Sequence, residues 1–287
     1  MKSFKHAVVL LSVFSSVAHA SGIRKVIYGA DNRQEVRDFA NPAFRAKAKA
    51  VAGMVQASSL TRSSQNTILF DLENTLERSM RVCANERFAE QTTLPVCSGF
   101  LVAPDILVTA GHCITGPKSC SDFAWVFDYV EGTEEINPAN VYRCKEIIGQ
   151  RQTLGIFAKK DYAVIRLDRR SERQPLAYRK KGSIDKGEPV LVIGHPSGLP
   201  MKVADGAEVR VTTLNTFRAD LDTYGGNSGS PVFNENTGLV EGILVSGAQD
   251  YVVDRSGTCM TSERLSVSRA RDSKERAHKI TKVPEIQ

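Results

Sequence analysis

The sequence predicts an all-β protein, and three observations carry the prediction. Short apolar runs recur at close spacing through the middle of the chain, from Gly99–Ala103 to Leu239–Val245. The segments between them are rich in Gly, Pro, Asn and Asp, the residues that turns demand. No helix-length periodic segment alternates with the runs, which disfavours a doubly wound α/β sheet, and there is no internal repeat. Many short strands joined by turns read as a barrel or a sandwich.

With 287 residues and 41% hydrophobic content, the chain can bury one large core or two smaller ones. Its formal net charge of +6 is modest for that length. No basic stripe interleaved with aromatic residues accompanies it, so a nucleic-acid binder is not indicated.

In chain order, residues 1–20 have the three parts of an export signal: Lys2 and Lys5, an apolar run from Ala7 to about Val17, and Ala18-His19-Ala20 as a cleavage site. The run is too short to span a bilayer, so the expected destination is the periplasm or the medium. Residues 21–25 form a possible short propeptide, and Val26-Ile27-Tyr28 suits a strand followed by a turn at Gly29-Ala30-Asp31-Asn32. Residues 42–60 are alanine-rich and undecided between helix and extended chain. Thr67–Phe70 is a short strand candidate, and Asn74–Arg87 is polar and irregular.

The strand candidates then follow in series: Gly99–Ala103, Ile106–Thr109, Ala124–Tyr129, Val141–Ile148, Ala163–Leu167, Val190–Ile193, Val209–Leu214, Val232-Phe233 and Leu239–Val245. The polar segment Asp168–Pro189 is the natural connection between two β units. Beyond Cys259 the chain turns basic and reads as a solvated helix or tail over residues 263–287.

Six cysteines, Cys83, Cys97, Cys113, Cys120, Cys144 and Cys259, in an exported chain allow three disulfides in fifteen connectivities. No pair has the Cys-x-x-Cys spacing of a structural zinc site, so metal is the lesser reading.

Three short blocks carry chemistry. Gly225-Gly226-Asn227-Ser228-Gly229-Ser230-Pro231 is by itself an ordinary turn sequence. Flanking glycines, however, also let a serine stand exposed on a tight turn, with main-chain N–H groups aimed at one point. Thr109-Ala110-Gly111-His112-Cys113 ends an apolar strand, and Asp161-Tyr162-Ala163-Val164 begins one. Each alone reads as structural. Together, in the order His112, Asp161, Ser228, they form the base, orienting acid and nucleophile of one known triad order.

With Cys97-Ser98-Gly99-Phe100-Leu101-Val102 added, these blocks make residues 97–247 resemble the chymotrypsin-fold serine peptidases. The resemblance implies two packed six-stranded antiparallel β-barrels with the active site in the cleft between them. The peptidase domain would cover 26–262, the first barrel about 65–175 and the second about 186–260. It implies His112 as general base, Asp161 as its orienting partner, Ser228 as nucleophile, and the N–H groups of Gly226 and Ser228 as the oxyanion hole. It pairs Cys97 with Cys113, leaves the other four cysteines open, and calls for no cofactor and no metal. The implied partners are protein or peptide substrates met by a monomer.

The details resemble the bacterial glutamyl-endopeptidase-like branch, on Val26-Ile27-Tyr28-Gly29 and Asp222-Thr223-Tyr224-Gly225. Two departures from the trypsin pattern stand out. Asn227 replaces the aspartate that pairs with a new α-amino group in trypsin-like zymogens, and Tyr224 replaces a pocket cysteine.

Two pocket readings compete. Asp222, six residues ahead of Ser228, falls where a buried acid would pair with substrate Arg or Lys. Thr223 matches a threonine that helps to bind substrate carboxylate in the glutamyl branch. The histidine that accompanies it there is missing from Gly242-Ile243-Leu244. Cleavage after basic residues is therefore expected, with glutamyl specificity and a catalytically silent binding protein as the alternatives. Self-processing at Lys25-Val26 would agree with it. Ser246-Gly247 is expected to pair with substrate backbone, and His195 with Ser197 is expected to be structural.

Overall fold

The computed structural model describes residues 27–153, 160–247, 249–265 and 273–287. The expected signal peptide, propeptide and Val26 lie outside the described residues. Two closed six-stranded antiparallel barrels make up the body. The first is built from β1 (Val51–Gln56), β2 (Cys97–Ala103), β3 (Ile106–Thr109), β4 (Phe123–Phe127), β5 (Val141–Gln152) and β6 (Asp161–Leu167). Around it the order is β6-β3-β2-β1-β4-β5, closed by β5 against β6.

The second barrel comprises β7 (Pro189–Gly194), β8 (Lys202–Thr212), β9 (Thr216–Ala219), β10 (Pro231–Asn234), β11 (Val240–Ser246) and β12 (Glu275–Lys279). It runs β7-β10-β11-β12-β9-β8 and closes through β7 on β8. The strand Arg33–Glu35 adds to the outside of β8.

Alternation along each strand fills the interiors. Trp125, Phe100, Leu107 and Val164 pack in the first barrel, and their cluster continues across the junction to Leu191, Phe233 and Ile243. Phe217, Val209, Val232, Leu244 and Ala277 fill the second. One cluster thus spans both barrels, which fixes the cleft where catalytic groups from the two would meet.

Three expectations need correction. The undecided stretch 42–60 is a helix, Pro42–Ala48, capped by Asn41 Oδ1 accepting the Ala43 N–H at 3.0 Å, followed by β1. The first barrel therefore begins at Val51 rather than near residue 65. Five of the six residues of β1 are buried, because a strand covered on both faces reads as a continuous apolar run and not as an alternating one. The expected basic tail contains β12, which pairs with both β9 and β11. Its alternation of Glu275, Ala277 and Lys279 with Arg276 and His278 hid it, since charged residues rarely mark a central strand. The strand β9 was also missed, because its sequence Thr-Phe-Arg-Ala contains no apolar run.

All six cysteines are paired: Cys97 with Cys113, as the resemblance implied, Cys83 with Cys259, and Cys120 with Cys144. Three disulfides fit an oxidising compartment. Among the described residues no helix is long and apolar enough to cross a membrane.

Candidate active site

His112 follows β3 and Asp161 opens β6, and the two strands pair from Thr109–Ala163 onward, which brings their ends together. Asp161 Oδ2 lies 2.9 Å from His112 Nδ1, and Oδ1 accepts the His112 main-chain N–H at 3.0 Å. A carboxylate that engages Nδ1 holds a proton on that nitrogen and leaves Nε2 as the base. Gln150 Nε2 donates to Gly111 O at 3.0 Å, and the Cys97–Cys113 bridge ties the same turn to β2. The Cys97 and Cys113 sulfurs stand near His112, but joined in a disulfide they are not thiolates that could hold a metal.

The serine turn comes from the second barrel and docks on the first. Ser228 O accepts the Ser98 N–H at 2.7 Å, and Gly229 N donates to Leu244 O at 2.7 Å. Gly229 has φ +91, and a Cβ there would stand 2.0 Å from Ser98 O and 2.2 Å from Thr109 Oγ1. Only glycine lets the turn approach the β2–β3 pair that carries His112.

Two tethers orient the peptides ahead of Ser228. Gly225 O accepts the Ser197 N–H. In a trans peptide the N–H points opposite to the C=O, so the Gly226 N–H is turned away from the loop His195–Gly198. Gly226 O accepts from Ser98 Oγ at 2.8 Å, while the same Oγ accepts the His195 N–H at 3.1 Å. Gly226 itself has φ +88, with a would-be Cβ 2.3 Å from His195 O, so no side chain fits.

The His195 loop is structural, as expected, but its task is specific: it holds the carbonyl face of the serine turn. His195 is fully buried, bonds Leu199 O through Nδ1 at 3.0 Å, and burial pushes its pKa down to about 4. Ser197 Oγ meets Tyr251 OH at 2.8 Å. Asn227 is buried with its Oδ1 toward Ser230 Oγ, 3.4 Å away.

The pocket residues are placed differently from expectation. Asp222 is only 3% exposed, and its two oxygens accept the N–H groups of Tyr28 at 2.8 Å and Asn32 at 2.9 Å. The carboxylate therefore clamps the amino-terminal segment, which corrects its expected role facing a substrate cation. Burial raises its pKa to about 6 against the lowering effect of those two bonds. Thr223 is fully buried, and its Oγ1 donates to Glu275 Oε2.

Glu275 on β12 is also where Gly247 leads: a Cβ on Gly247 would strike its carboxylate. Thr223 and Gly247, expected from the sequence, thus converge on an acid that sequence reading missed. The only signal for it was an acidic residue within the basic carboxy-terminal stretch. Ser246 ends β11, partly exposed, next to Arg276.

The trypsin-like peptidase domain model matches residues 97–243. No curated protein sequence matches the chain. Among solved structures, a Glu endopeptidase in complex with MPD superposes with a TM-score of 0.54 at 18% identity, over 90% of this chain and 94% of that one. The VesB protease of Vibrio cholerae gives 0.52 at 12% identity over 90% of this chain and 65% of its own. Neuropsin, a serine protease expressed in the limbic system of mouse brain, gives 0.51 at 13% identity over 83% and 92%. Likeness at these identities is likeness of fold.

Proposed function

Because the chain belongs to the trypsin-like peptidase family, whose domain model spans residues 97–243, we propose that it is an exported serine endopeptidase acting through His112, Asp161 and Ser228. The observation that carries the reading is the double contact of Asp161 with His112, to the ring and to the main chain. A purely structural aspartate needs neither the ring tautomer nor its orientation.

In this mechanism His112 Nε2 takes the Ser228 hydroxyl proton as Oγ attacks the scissile carbonyl, then hands it to the departing amine. Asp161 stabilises the imidazolium that forms in between. The N–H groups of Gly226 and Ser228 receive the oxyanion, each worth on the order of 3 kcal/mol in comparable sites. The acyl group on Ser228 is then released to water by the same proton traffic in reverse.

The same reading includes cleavage after Arg or Lys. The acid that supports it is Glu275 and not Asp222. Glu275 is 1% exposed and joins Thr223 to Gly247, so a carboxylate borders both residues expected to face substrate. An ionised carboxylate at that place attracts a cationic side chain and repels a substrate carboxylate. His278 offers no counterweight, since its ring packs on Tyr162, centroids 5.1 Å apart, on the opposite face of β12.

Export is supported by the residues 1–20 pattern and by the three disulfides. The reading is tested with a fluorogenic peptide panel carrying Arg, Lys, Glu or Phe at the cleaved position, using the mature protein and its Ser228→Ala variant. Turnover of the Arg and Lys peptides, absent in the variant, is expected. Selective turnover of the Glu peptide would overturn the specificity, and equal turnover by the variant would overturn the mechanism.

A further inference from the structure

Arg218, Arg276 and Ser246 stand side by side on three adjacent strands: Arg218 of β9 lies directly opposite Arg276 of β12, and Arg276 opposite Ser246 of β11. The adjacent residues Phe217 and Ala277 point into the core of the second barrel, as does Leu244, which a bulge at Val245 separates from Ser246. Side chains alternate along a strand, so the arginine row points outward. His278, two residues along β12, shares that outer face and packs on Tyr162, which follows Asp161. The arginine row is thus about 7 Å along the strand from His278, whose ring packs on the residue next to Asp161 in sequence.

Like charges placed directly opposite each other weaken a strand pair. Both side chains are half-buried, and neither guanidinium has a hydrogen bond or ion pair with any described residue. Burial and the neighbouring Arg218 charge hold Arg276 below the usual arginine range. Elsewhere in the chain half-buried arginines find carboxylates: Arg173 with Asp128, Arg179 with Glu241 and Arg210 with Asp220. The pair on β9 and β12 is the exception among these, a cationic row without an anion.

The position of the row says what the anion is attached to. Leu244 N and O are bonded to Ser230 and Gly229, and the β10–β11 pairing ends at Pro231–Ile243. Ser246-Gly247 therefore continue β11 beyond its last partner on the Ser228 side, an edge to which an extended peptide can add. A substrate whose scissile carbonyl sits at Ser228 runs along that edge past the arginine row.

We propose that Arg218 and Arg276 form an anion subsite that takes the side-chain carboxylate of an Asp or Glu lying a few residues ahead of the scissile bond. The proposal rests on the serine peptidase reading and adds a second determinant to it. Two guanidinium forks facing one carboxylate give charge-assisted, bidentate recognition.

The test uses internally quenched peptides that share a cleavable Arg and differ only by Glu or Gln at each successive position ahead of it. At one position the Glu peptide should exceed the Gln peptide in kcat/KM by about tenfold or more. That ratio should fall toward one in Arg276→Gln and in Arg218→Gln, and at high salt. Arg276→Gln should also melt no lower than the parent protein, because it relieves a like-charge contact. Equal Glu and Gln rates at every position, or a preference that survives both substitutions, would overturn the subsite. Active-site labelling by a fluorophosphonate separates the two levels: labelling with a flat Glu/Gln ratio removes only the subsite, and absence of labelling removes the peptidase reading with it.

Discussion

Asp161 holds His112 at two points, Oδ2 on the ring Nδ1 at 2.9 Å and Oδ1 on the main-chain N–H at 3.0 Å. Ring position and ring tautomer are set by one side chain. Asp161→Asn keeps the shape and can satisfy only one of these contacts as a carboxylate does, presenting an N–H₂ to the other. It should lower kcat by about 10⁴-fold with an unchanged melting temperature. Kinetics on an Arg peptide alongside a thermal melt check this; a loss of less than tenfold would speak against Asp161 as the orienting acid.

Ser98 joins the two barrels at the serine turn. Its N–H donates to Ser228 O, and its Oγ links Gly226 O to the His195 N–H. Ser98→Ala removes the Oγ link and leaves the main-chain one. The expected result is a fall in kcat of about tenfold, from roughly 1–2 kcal/mol of lost positioning, with KM little changed. A change confined to KM would place Ser98 in substrate binding instead.

These two sites mark what the sequence disclosed and what it withheld. The proposed triad, His112, Asp161 and Ser228, stood out because each sits in a block whose neighbours suit that chemistry: glycines around the serine, strand ends beside the histidine and aspartate. Ser98 did not, because a serine whose role is to bond main-chain groups 97 and 128 residues away has no local signature.

The same holds for strands. Ile106–Thr109 was read with the bounds it has, as an apolar run between turns. β12 was taken for a tail because a strand that sets Glu275, Arg276, His278 and Lys279 around Ala277, its one core residue, lacks apolar alternation. Asp222 was misplaced for a related reason: its spacing from Ser228 was right, but its partners, the N–H groups of Tyr28 and Asn32, lie 194 and 190 residues away in sequence.

In the proposed specificity the acid is Glu275, beside Thr223 and Gly247, and not Asp222. Glu275→Gln keeps an acceptor for Thr223 Oγ1 and removes the charge. It should reduce kcat/KM for Arg and Lys peptides by about tenfold or more, the scale of a charge-assisted pair, and leave a Phe peptide unaffected. Asp222→Asn should instead act on stability, since it disturbs the clamp on the amino-terminal segment. Opposite results in the two variants would return the specificity to Asp222.

Two buried histidines give the protein an acid-sensitive limb. His195 and His278 are held neutral by burial, with pKa values pushed down from 6.5 to about 4. The unfolded chain takes up these protons near pH 6.5 and the folded chain only near pH 4, so their contribution is complete above 6.5 and is lost as pH falls toward 4. Asp222 acts in the opposite sense: its pKa, raised from 3.8 to about 6, favours the folded state on acidification over that interval and offsets one of the two histidines. Denaturant unfolding between pH 7 and pH 4 should show falling stability. In His278→Gln, where one histidine remains against Asp222, the slope over pH 4–6 should be flatter. An identical slope in both proteins would contradict the assignment.

The central claim is that Ser228 is a nucleophile activated by His112, and the most direct measurement is covalent labelling. The purified mature protein is incubated with a fluorophosphonate, its fold is checked by circular dichroism, and the modified residue is located by peptide mass spectrometry. A single adduct on Ser228 is expected, lost in Ser228→Ala and strongly slowed in His112→Ala. A folded protein that carries no adduct, or carries it on another serine, would contradict it.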